Sequence, residues 1–73
     1  MYGVKTNVGG SEKVYWIHES KYITRLLVSI TTYKTMKELK ELEQWDIVED
    51  TETKFTAIGR LTGLLFSTEI IGV

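Results

Sequence analysis

The sequence predicts a small α+β domain, one short helix packed on an antiparallel or barrel-like sheet, in the order β-β-β-α-β-β-β. Three observations carry that expectation. The first half is dense in β-branched and aromatic residues, punctuated by Gly9-Gly10-Ser11. A single segment after Thr35 repeats its apolar residues at helical spacing. Beyond Trp45 the chain returns to short apolar runs separated by polar turns and glycines.

The elements follow in order. Tyr2 to Val8 and Lys13 to Glu19 read as a hairpin about the double glycine, with a weaker turn at Glu19-Ser20-Lys21. Tyr22 to Thr32 is the densest β-forming run, holding Ile23, Leu26, Leu27, Val28 and Ile30 with three threonines. It reads as a central strand. Thr35-Met36-Lys37-Glu38 fits a capping box, and Met36, Leu39, Leu42 and Trp45 make the stripe of a ten-residue helix. So short a helix holds only by packing on the sheet. Ile47-Val48 opens a second hairpin, turned at 50–53 and closed by Lys54 to Ile58. Gly59 and Gly63 bracket a bend, and Leu64 to Val73 is a last apolar strand interrupted by Ser67-Thr68-Glu69.

The chain has 73 residues, enough for one domain spanning 1–73 and a thin core. It has no cysteine and one histidine, which excludes disulfides and thiolate or His-rich metal sites. No cofactor is expected. Met1 to Lys5 lacks the pattern of a secretory leader, and no apolar run approaches membrane-spanning length, so a soluble cytoplasmic protein with no membrane partner is expected.

Net charge is −1, but it is unevenly spread. Residues 1–37 carry six cations against Glu12 and Glu19, a net +4; residues 38–73 carry eight acids against three cations, a net −5. Opposed halves suggest two differently charged faces.

Catalysis needs a nucleophile, base or metal in a defined arrangement. His18 stands alone, and in a strand its neighbour Glu19 points to the opposite face. No catalytic residue is expected, and binding is the expected role. The densest charge feature is acidic. A partner surface of Glu38, Glu41, Trp45, Asp46, Glu49 and Asp50 is expected to dock on a basic protein, even as a mimic of a nucleic-acid backbone. The alternative is a nucleic-acid-binding face of Lys13, Tyr15, Lys21, Arg25 and Lys34, where aromatics stack bases and cations meet phosphates. The last strand is apolar on both faces, through Leu64, Phe66 and Ile70 on one and Leu65 and Ile71 on the other. A homo-oligomer is the expected cover.

Overall fold

The computed structural model describes residues 1–40 and 44–73, and of Leu39 and Lys40 the backbone only. β1 (Tyr2–Val8) and β2 (Ser11–His18) form the expected hairpin. Gly9 and Gly10 turn it with φ of +61° and +91°. A tight hairpin turn needs positive φ at both central residues, which glycine adopts without a Cβ penalty. The Gly10 N–H donates to the Asn7 side-chain oxygen at 2.9 Å and fastens the turn.

A single helix, α1 (Lys21–Lys40), follows. It replaces both the strand expected over Tyr22 to Thr32 and the short helix expected from Thr35. The Thr35–Glu38 capping pattern therefore lies inside the helix, and the cap is Ser20, whose Oγ accepts the Ile23 N–H at 3.3 Å. The reason is a period hidden in the β-forming run. Thr24, Val28 and Thr32 recur every four residues and are the buried helix positions, at 0%, 8% and 8% exposure. β-branched residues cost a helix only about 0.5 kcal/mol each, so a well-seated stripe outweighs their propensity. Each buried hydroxyl is also satisfied. Thr24 donates to the Ser20 carbonyl at 2.9 Å, and Thr32 donates to the Thr68 hydroxyl at 3.4 Å.

β3 (Trp45–Asp50), β4 (Lys54–Gly59) and β5 (Leu65–Gly72) complete the chain. Trp45 opens a strand rather than closing a helix stripe, and Leu42 lies outside the described residues. The β3–β4 turn is held by Thr51, which accepts the Lys54 N–H at 3.0 Å and donates to the Lys54 carbonyl at 3.2 Å. The sheet has five antiparallel strands in the order β2-β1-β5-β4-β3 and stays open, not barrel-like. The element order is thus β-β-α-β-β-β.

β5 runs unbroken through Ser67-Thr68-Glu69, because these residues pair on one side with Asn7, Thr6 and Lys5 and on the other with Thr56, Phe55 and Lys54. Of its two faces, the one toward the helix buries Phe66 and Thr68, and the other leaves Leu65 and Ile71 half-buried. Phe66 is its buried anchor, with Trp45 tilted against it at 6.1 Å between ring centroids and Phe55 edge-on at 6.5 Å. Among the described residues the buried apolar core is small, namely Val4, Val28, Ala57 and Phe66.

Gly3 sits where β2 bulges against β1, between its neighbours Trp16 and Ile71. A Cβ there would collide with the Tyr15 carbonyl oxygen and reach 3.0 Å from the Trp16 ring. Gly3→Ala is therefore expected to cost about 2 kcal/mol or more, since backbone cannot yield as a side-chain tip can. Urea unfolding checks this, and an unchanged midpoint would contradict the placement.

Candidate functional site

His18 is exposed at the end of β2, and its Nδ1 accepts the Ser20 N–H at 2.9 Å. That bond stiffens the turn leading into α1, with no described carboxylate orienting the ring. Among the described residues no three His, Asp or Glu side chains are grouped so as to hold a metal.

The expected acidic surface is not one surface. Glu38 is on the helix and Glu41 lies outside the described residues. Trp45 turns inward onto Phe66. Asp46 and Glu49 lie on the sheet face away from the helix, each tied to a cation. The Arg60 Nε donates to Asp46 at 2.6 Å, and Lys54 lies 3.7 Å from Glu49. Asp50 lines a cavity of about 250 Å³ between α1 and the β3–β4 hairpin, together with Arg25, Glu52 and Phe55.

The face away from the helix carries a charge ladder. Lys5 lies 3.5 Å from Glu12 on β2 and stands in register with Glu69 on β5. Glu69 is in turn in register with Lys54 on β4, which reaches Glu49 on β3. Signs therefore alternate across all five strands, each charge beside an opposite one. Of the acids that the sequence offers for docking, the ladder takes up Glu49, and Arg60 takes up Asp46.

The alternative basic set is also divided. Lys13 and Tyr15 are on β2, whereas Lys21, Arg25 and Lys34 are on α1. Arg25 is engaged by Glu52 at 3.7 Å. Tyr15 lines a second cavity, of about 340 Å³, between α1 and the sheet near β2.

The feature that sequence reasoning missed is the outer face of α1. The helix spends a stripe of threonine and valine on the sheet and turns its large apolar residues to solvent. Tyr22, Ile23, Leu26, Leu27, Ile30 and Tyr33 are 36–71% exposed. Placed on a 3.6-residue turn, Ile23, Leu26, Ile30 and Tyr33 fall opposite Thr24, Val28 and Thr32, with Tyr22 and Leu27 at the margins and Leu27 also lining the cavity near β2. Ordinary surface helices have the reverse arrangement. The signal was present in the sequence as the spacing of Ile23, Leu26 and Ile30, but it shows only once the run is read as helix. No helix among the described residues is long and apolar enough to cross a membrane.

Comparison with family models, with curated proteins and with solved structures finds no match for the chain.

The role of His18 in the turn has a measurable consequence. His18→Ala is expected to lower stability by roughly 0.5–1 kcal/mol, the worth of one partly exposed hydrogen bond. Denaturant unfolding with far-UV detection checks it; no loss would mean that the bond to Ser20 holds nothing.

Proposed function

We propose that the chain is a non-enzymatic interaction module whose contact surface is the outward apolar face of α1. The single observation that supports this is the inverted helix, with Ile23, Leu26, Ile30 and Tyr33 facing solvent and half-exposed Leu27 and exposed Tyr22 at the margins of the row. At roughly 200 Å² for each free side chain, their exposed fractions amount to on the order of 600 Å² of apolar surface, the upper end of the largest patch on ordinary monomers. Keeping such a face in water is costly, so a partner that covers it gains a hydrophobic contribution that offsets part of the cost of association.

A second reading is docking of the acidic edge on a basic protein. It is favoured by the sheet order, which sets the β3–β4 hairpin, with Asp46, Glu49, Asp50 and Glu52 against Lys54, at the opposite edge from the β1–β2 hairpin. The ladder and the Arg60 and Arg25 pairs already satisfy three of these four carboxylates, so the apolar face is the stronger candidate. Nucleic-acid binding through Lys13, Tyr15, Lys21, Arg25 and Lys34 has less support, because its residues are split between two elements.

One experiment separates the readings. A photo-cross-linking amino acid is placed at Tyr33, at Asp50 or at Ser67 in the producing cell. The apolar-face reading expects discrete adducts from position 33 and few from the other two. Adducts concentrated at position 50 favour the acidic edge, and a bare chain at position 33 contradicts the proposal.

A further inference from the structure

The partner that best fits the outward face is a second copy of this chain. We infer that two copies pair α1 against α1, antiparallel, about a two-fold axis level with Val28. This rests on the reading of that face as the contact surface and names its occupant.

The spacing carries the first part of the argument. Ile23, Leu26, Ile30, Tyr33 and Lys37 follow one another at alternating steps of three and four, all on the solvent side of the helix. That is the seam along which two helices interlock side chains. The seam is apolar over its first four positions and ends in a cation, so a pairing has to answer Lys37.

Charge decides the direction. In a parallel pair Lys37, the charged residue of the seam, would meet its own copy, like charge against like. In an antiparallel pair centred at Val28, Leu26 stands opposite Ile30 of the partner, and Ile23 opposite Tyr33. Lys37 then stands opposite Glu19, an exposed carboxylate just before the helix cap. The four apolar seam positions meet apolar partners, and Lys37 is level with the segment before the partner's helix, where Glu19 is exposed.

Area is consistent with the pairing. Two faces of on the order of 600 Å² each would bury about 1,200 Å² in total, which reaches the range of specific protein interfaces. The sheet leaves the pairing unobstructed, because α1 lies on one face of the sheet with its seam directed away from it. A domain with so small a core has much to gain from a second copy.

The chain has no cysteine, so introduced thiols report geometry cleanly. Ile23→Cys and Tyr33→Cys proteins are prepared separately, then mixed and oxidised by air. The mixed disulfide is expected in at least about fivefold excess over either self-disulfide, as the antiparallel register brings only unlike positions together. Self-disulfides that match or exceed it would overturn the register. In parallel, sedimentation measures self-association of the charge variants. Glu19→Lys and Lys37→Glu are each expected to weaken the dimer by about fivefold, and the double variant to return to within about twofold of the parent. Both sites are exposed, and an unchanged circular dichroism spectrum confirms the fold. Failure of the double variant to recover would overturn the pairing. A parent chain that stays monomeric up to millimolar concentration would overturn the second copy as occupant. If position 33 then cross-links to a protein of different mass, the contact surface stands and only this occupant falls.

Discussion

The structure depends on a narrow hydroxyl-bearing contact between α1 and the sheet. Thr24, Val28 and Thr32 are the only buried side chains among the described residues of the helix. They seat it over the sheet beside Val4, Thr6 and Thr68. Small β-branched side chains let the helix approach closely, and their hydroxyls find partners in the Ser20 carbonyl and the Thr68 hydroxyl, so neither threonine of the stripe opposes burial. Because this stripe is narrow, cavities open on both flanks of the helix, and nearly all of its large apolar side chains point elsewhere. The outward apolar face is a direct consequence of how little of the helix the sheet uses.

The two faces of the molecule solve the problem of solvation differently. On the sheet, alternating charges from Glu12 through Lys5, Glu69 and Lys54 to Glu49 make a hydrated row across all five strands. On α1, apolar residues stand exposed with no neighbour of their own chain above them. The edge strands mix the two kinds of surface. β3 carries Asp46, Glu49 and Asp50 among exposed Ile47 and Val48, and β2 exposes Tyr15 on the helix side and Val14 and Trp16 on the other.

Much of the β structure was legible in the sequence because its signals are local. Gly9-Gly10 has a specific conformational requirement, and Thr51 to Lys54 forms its own hydrogen-bonded turn. Both hairpins and the last strand were therefore found close to their true limits. Tyr22 to Thr32 was not, because its residues satisfy two patterns at once. Alternation favours a strand, and the four-residue recurrence of Thr24, Val28 and Thr32 favours a helix. Only the sheet beneath, which receives that stripe, decides between them. The error hid the site as well: read as a strand, Ile23, Leu26, Leu27 and Ile30 are core residues, whereas on the helix they are surface. The acidic set was visible as composition, but composition does not show that Arg60, Lys54 and Arg25 are brought up against it.

The most direct measurement is an isotope-filtered nuclear Overhauser experiment on an equal mixture of labelled and unlabelled chains. Cross-peaks between copies are expected from the Ile23 methyl groups to the Tyr33 ring and from Leu26 to Ile30, growing with concentration. A spectrum with no intermolecular peaks at these four residues, unchanged across the accessible concentration range, would contradict the claim that the outward face of α1 is where this protein meets its own kind.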